Sequence, residues 1–492
     1  MGLWVSRNNH STEAYFLGNR AFPSWAIGLS LVGTSISSIT FLAYPADAFK
    51  TTWIRFIPNL ALPVAALIVS YGFLQHYRNN KTTTAYQFLE QRFGPSVRTY
   101  AALTFIVAQI VRISMILYLV GLLLQQLTGL DIILSVVLAG LFVSVYTVFG
   151  GFQAVVWTDV LQTIILITGG LLCLSVIVSA MPGGLFQVLD IAQANNKISF
   201  NAVVNGSLKP ISWGISFSDK TLSMLFFVGL ISWLTEYIAN QNTVQRFCAS
   251  KSTHEAKKAI AICVMSSLPI WAFYMFLGTA LFSFFQTNPT EATTAMLNGE
   301  SKVEAILPYF ISNYLPKGIA GIVIAAALAA AMSSVDSSLN SIATVSVVDL
   351  YKPKIKKHVT DKHLLHCAWL ISAFSSICMI LGAISLALIE TKTLQHAATV
   401  LVSVLSGGLL AIYLLGFTTI KTNTKAIWVG IITTWAFSIW TVLSKQQLIP
   451  DSLSAPFDLY YTGLIGNIVL FFVAYATCRM SQIHRDYFTT KV

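Results

Sequence analysis

The chain alternates long apolar runs with short polar interruptions. A helix needs about 20 apolar residues to cross a bilayer. Runs of that length fall at 25–47, 53–75, 99–127, 131–149, 155–181, 221–239, 259–286, 318–348, 364–389, 396–418, 425–444 and 460–479. Backbone polar groups in hydrocarbon must be satisfied within the segment, so runs of this kind are helical. The pattern predicts an all-α polytopic membrane protein of twelve spans. Two longer polar stretches, at 182–220 and 287–317, separate some of them.

Composition agrees with lipid as the solvent. Of 492 residues, 55% are hydrophobic and only 10% charged, against roughly a quarter charged in soluble domains. The net charge of +11 comes from Lys and Arg gathered in alternate loops. Arg7 and Arg20, Arg78 to Arg98, Arg246 to Lys258, Lys352 to Lys362, Lys421 and Lys425, and Arg479 to Lys491 fall on one side. The positive-inside rule makes that side cytoplasmic and puts both termini there. The charge therefore reports topology, and nucleic acid is not an expected partner. Six cysteines include no CxxC pair, which argues against a disulfide framework or a metal centre. No GxxxxGK[ST] motif and no nucleophile-and-base arrangement occurs, so neither ATP-driven transport nor enzyme catalysis is expected.

Polar residues inside spans are functional candidates. The first span carries Gly33-Thr34-Ser35-Ile36-Ser37-Ser38-Ile39-Thr40 near its middle. That run suits a broken helix whose freed carbonyls and hydroxyls line a cavity, though hydroxyls bonding back along the helix would also account for it. In the eighth span Ser333, Ser337 and Ser341 recur at i, i+4 and i+8, with Asp336 and Asn340 beside them. Hydroxyl and carboxylate oxygens are ligands for a hard cation; small-residue packing explains the preceding alanines but not an aspartate. Asp159 opens the fifth span near its cytoplasmic edge, where helix capping is the rival reading. Arg112 lies deep in the third span, facing either an internal acid or an anionic solute.

Several motifs occur together in order. Trp157-Thr158-Asp159 is followed by Gln162. Gln245-Arg246 leads to Ala249, Lys251-Ser252 and Ala256-Lys257. Met332-Ser333-Ser334 leads to Asn340-Ser341 and Asp349-Leu350-Tyr351. In these residues the chain resembles the sodium/solute symporter family over essentially its whole length. Ser37-Ser38-Ile39-Thr40-Phe41, followed by Pro45-Ala46 and Ala48-Phe49, is most similar to the sialic-acid transporter branch.

The resemblance implies the five-plus-five inverted-repeat (LeuT-like) transporter fold. It divides the chain into a segment 1–24, a ten-helix core 25–418, and two further helices with a short tail over 419–492. It implies sodium as the coupling ion, held by carbonyls of Gly33, Ile36 and Ala330 and hydroxyls of Ser333 and Ser334. A second sodium would involve Asp159, Ser334, Asp336 and Ser337. The solute would be met by Ser35, Ser37, Ser38, Thr40, Asn59 and Arg112, with Arg112 on its carboxylate. The expected activity is sodium-driven import of a small polar solute, a sialic acid or other carboxylated sugar, by a single chain in a bacterial inner membrane. Neutral sugars, polyols, monocarboxylates and amino acids are alternative cargoes; a solute sensor and a proton-coupled permease are the rival classes.

Three departures from the family pattern stand out. Family members usually carry one more helix ahead of the first core helix, and Met1-Gly2-Leu3-Trp4-Val5 stands where it would end. Position 330 is Ala where a hydroxyl is expected, and Arg55 and Asn59 occupy positions expected to be aromatic and Gln.

Overall fold

The computed structural model describes residues 11–36, 38–79, 82–204, 207–355, 359–388, 408–418, 423–445 and 448–489. Ser37, the Ser38 side chain and residues 396–407 of the tenth predicted span lie outside the described residues. Among those described, eight helices are long and apolar enough to cross a membrane, and two bent pairs make two more spans. Two shorter apolar helices, Ile132–Val148 and Leu409–Thr418, stand at the remaining two predicted positions.

The helices that build the site are α1 (Ser24–Ser35) and α2 (Ser38–Lys50) in the first span, α3 (Pro95–Thr128), and α4 (Ile132–Ala180). They continue with α5 (Leu222–Ile238), α6 (Gln241–Ala249), α7 (Thr253–Thr287) and α8 (Lys317–Val345). α1 and α2 meet at a bend of 53°, and α5 and α6 at 51°. Ile36 ends α1 in extended backbone, φ −103° and ψ 103°, as its hydroxyl-rich surroundings predict. Asn240 breaks the other pair and caps α6 with its side chain on the Asn242 N–H. Broken spans at positions one and six, five apart, are the pattern of an inverted repeat, with the binding site where they break.

The fourth and fifth predicted spans turn out to be nearly continuous. α4 runs from Ile132 to Ala180 and is interrupted at Gly151, φ 63°. A left-handed residue turns the chain in a single step, and glycine does so without steric penalty. The loop expected between the spans therefore shrinks to almost nothing. A second glycine serves close approach: a methyl on Gly278 would lie 2.2 Å from the Pro45 carbonyl oxygen. α7 thus packs backbone to backbone on α2. α8 lies against α3 and α4 and touches α1 and α6, which puts its polar stripe at the centre of the fold.

Candidate functional site

The stripe on α8 is closed off from solvent. Ser333, Ser334, Asp336, Ser337, Ser338, Asn340 and Ser341 are each at most 2% exposed. Unmet polar groups are costly here, so the bonds made across the stripe define what it does.

Arg246 forms the hub. It is fully buried and its guanidinium donates in four directions: Nε to Ser30 Oγ at 2.8 Å, Nη1 to the Asn242 carbonyl at 2.6 Å, and Nη2 to both Asp159 Oδ2 and Ser337 Oγ at 2.7 Å. Asp159 also accepts Ser30 Oγ at 2.5 Å on Oδ2 and Ser333 Oγ at 2.6 Å on Oδ1. One network therefore joins α1, α4, α6 and α8. A planar guanidinium suits it because each donor direction is fixed and distinct.

Two readings of the sequence change at this point. Asp159 is no helix cap; it lies inside the helical stretch Gly150–Ala180 and bonds side chains of three other helices. Arg246, counted above with the loop cations, is interior. It sits on α6, the second half of a broken span, so its burial depends on a break that hydropathy does not report. A face shared by Asn242, Gln245 and Arg246 at i, i+3 and i+4 was the available signal. Asn242 meets Gln109 Oε1 at 3.2 Å, and Gln245 Nε2 donates to Asn340 Oδ1 at 2.9 Å. Ser30, Gln109 and Asn242 were missed, and Gln245 was read only as part of a motif.

Of the expected sodium ligands, Gly33 lies against α8, since a methyl there would be 2.9 Å from Ser333 Oγ and 3.0 Å from Thr163 Oγ1. Ala330 and Ile36 are buried, with Ala330 one turn before Ser333 and Ser334. The Ser334 hydroxyl is buried and has no hydrogen-bond partner among the described residues. Asp336 is within reach of the Tyr146 and Thr158 hydroxyls, both at 3.3 Å from Oδ2.

The expected solute residues separate into groups. Arg112 is half-buried and its Nη2 donates to the Thr34 carbonyl at 3.4 Å. Among the described residues no acid pairs with it. Ser35 lies beside the Cys263 thiol, and Thr40 is buried. Asn59 donates to the Tyr44 hydroxyl at 2.7 Å, and Arg55 stacks over the Tyr44 ring at 5.3 Å while pairing with Asp47.

A polytopic helical fold with two broken spans, a buried oxygen-lined stripe and a guanidinium facing no acid among the described residues is the architecture of a secondary transporter. Residues 15–433 match the sodium:solute symporter family model, and the chain belongs to that family. It is a multi-pass membrane protein and a sodium-coupled symporter of small solutes. The sodium/sialic acid symporter SiaT of Proteus mirabilis is 31% identical over 95% of this chain and 90% of its own. The sodium/glucose cotransporter of Vibrio parahaemolyticus is 30% identical over 97% of this chain and 88% of its own. A solved Na+-coupled sialic acid symporter, substrate-bound and outward-open, superposes with a TM-score of 0.86 at 29% identity, covering 97% of this chain and 94% of that one.

Proposed function

We propose that the chain imports a carboxylated sugar, a sialic acid, with sodium, at a site built on the break between α1 and α2. The observation that carries this reading is Arg112: a guanidinium within a spanning helix, bonded to the Thr34 carbonyl and facing no acid among the described residues. A planar fork in low dielectric binds a carboxylate in two parallel bonds. Arg55 is already paired with Asp47, which leaves Arg112 as the guanidinium for the solute. The sialic acid symporters among the relatives support the same cargo. Ser35, Ser37, Ser38, Thr40 and Asn59 would supply polar contacts to the sugar.

Sodium would be held by the carbonyls of Gly33, Ile36 and Ala330 and the hydroxyls of Ser333 and Ser334. Support comes from the extended backbone at Ile36, the approach of Gly33 to Ser333, and the unpartnered Ser334 oxygen. A cation there ties α1 to α8. The same end of α1 carries Thr34, whose carbonyl accepts Arg112, so ordering by sodium favours solute binding, and by linkage the solute favours sodium. In this reading residues 25–418 are the transport core, 419–492 flank it, one chain is the transport unit, and both termini face the cytoplasm of a bacterial inner membrane.

The experiment is uptake of labelled N-acetylneuraminate into proteoliposomes with and without an inward sodium gradient. Accumulation only with sodium supports the cargo. Absence of accumulation, in protein that sodium stabilises against heat, overturns the cargo and keeps the symporter.

A further inference from the structure

We infer that the groove between the third and eleventh spans holds the acyl chain of an acidic phospholipid, with the headgroup at the end where both spans begin. The groove is separate from the α8 stripe and from Arg112, so the inference stands whatever the cargo. Shape, closure and charge carry it.

The eleventh span is α9 (Thr424–Lys445), and it leaves a groove of about 550 Å³ against α3. Tyr100, Leu103 and Val107 line the groove from α3, at steps of three and four, and Trp428 and Trp435 line it from α9. The Tyr100 ring is buried and stands 5.8 Å from that of Trp428 and 5.6 Å from that of Trp435. Leu103 and Val107 are exposed, so the groove opens sideways between two helices that cross the membrane. What meets it there is hydrocarbon. A helix from a second copy would be about 10 Å across and packs closely only on small residues. Two indoles and a phenol leave a slot for a thin, flexible chain instead.

Polar contacts close one end. Thr424 Oγ1 donates to the Phe93 carbonyl at 2.7 Å, and Trp428 Nε1 donates to Ser96 Oγ at 3.1 Å. This is the side proposed above to be cytoplasmic. An acyl chain lying in the groove brings its headgroup to these polar groups.

The same end is positive. Lys425 is exposed one turn before Trp428 on the same face, and Arg92 adjoins Phe93. Glu90, the nearest acid along the chain, is paired with Arg98. Both helices present their positive dipole ends here, and Gly94 offers the first N–H groups of α3 no side chain. Ser96 accepts from Trp428 and keeps its own proton to give. A phosphodiester without a compensating ammonium fits this end, and acidic lipids of the cytoplasmic leaflet carry one.

The test uses the full chain, purified in uncharged detergent and stripped of lipid. Its melting temperature is followed as dioleoylphosphatidylglycerol or dioleoylphosphatidylcholine is added at constant ionic strength. The glycerol lipid should stabilise the protein saturably, and the choline lipid, with the same chains, far less. Leu103→Trp fills the groove from an exposed position and should abolish the gain; Val107→Trp replaces it if it does not fold. Lys425→Gln should raise the lipid concentration for half the effect about fivefold. Equal gains from both lipids overturn the proposal, and so does a wild-type gain in the folded tryptophan variant. If neither tryptophan variant folds, an unchanged response in Lys425→Gln overturns it. An equal gain from inorganic phosphate overturns it too, because the ligand is then a free anion. A fall in particle mass in Leu103→Trp also overturns it, because the groove then seats a second copy.

Discussion

Arg246 Nη2 lies 2.7 Å from Asp159 Oδ2, and neither side chain has any exposure. Arg246 is on the far half of the broken sixth span and Asp159 on the fifth, so this pair fastens the half-helix α6 to α4. Removing one member leaves a buried charge alone. Arg246→Met or Asp159→Leu should each destabilise the protein by about 3–5 kcal/mol, and the double variant should recover most of the loss. Melting temperatures of the four proteins in detergent check this; an additive double variant would disprove the coupling.

Ser334→Ala deletes an oxygen that is buried with no partner among the described residues, so folding should be little affected. If that oxygen ligates sodium, the sodium concentration for half-maximal uptake should rise about tenfold or more. Ser333→Ala should cost more in stability, because Ser333 also donates to Asp159. Uptake against sodium, with melting curves alongside, distinguishes the two.

Arg112→Ala should abolish uptake of an acidic sugar while leaving sodium stabilisation in place. Arg112→Lys should retain a small fraction, since an ammonium offers charge without the planar fork. Wild-type uptake in Arg112→Ala would make the residue structural.

Lys197 supplies a pH prediction away from the membrane spans. Its Nζ donates to the Phe49 and Thr51 carbonyls at 2.7 and 3.1 Å and lies 3.9 Å from the centre of the Phe282 ring. Burial brings its pKa down to about 8, below the roughly 10.4 of an unfolded chain. Between these values the unfolded chain holds a proton that the folded one has released, so stability rises with pH across that window. Lys197→Met should melt with less dependence on pH from 8 to 10 than wild type; parallel curves would refute the assignment.

The spans were legible because hydropathy and helix length are local properties. So was the break in the first span, since Gly33 to Thr40 is too polar for an uninterrupted helix in lipid. Ser333, Asp336 and Ser337 were readable from their spacing alone. The partners of these groups were not. Ser30 and Gln109 are single polar residues in apolar surroundings, and only the crossing of α1 and α3 against α8 makes them matter. Arg246 was read as a loop cation because its helix is short and mixed in composition. What buries it is the 51° bend ahead of α6, a tertiary feature with no periodic signature.

The contact between Gly278 and the Pro45 carbonyl bears on how the molecule moves. At this point two helices touch through main chain, with no side chain between them to give way. Sliding α7 along α2 would drive same-face residues a turn away, such as Met275 or Phe282, into space that only a hydrogen atom fits. Swivelling about the contact meets no such obstacle. The contact therefore fixes the spacing of α2 and α7 at this point and opposes translation of one along the other.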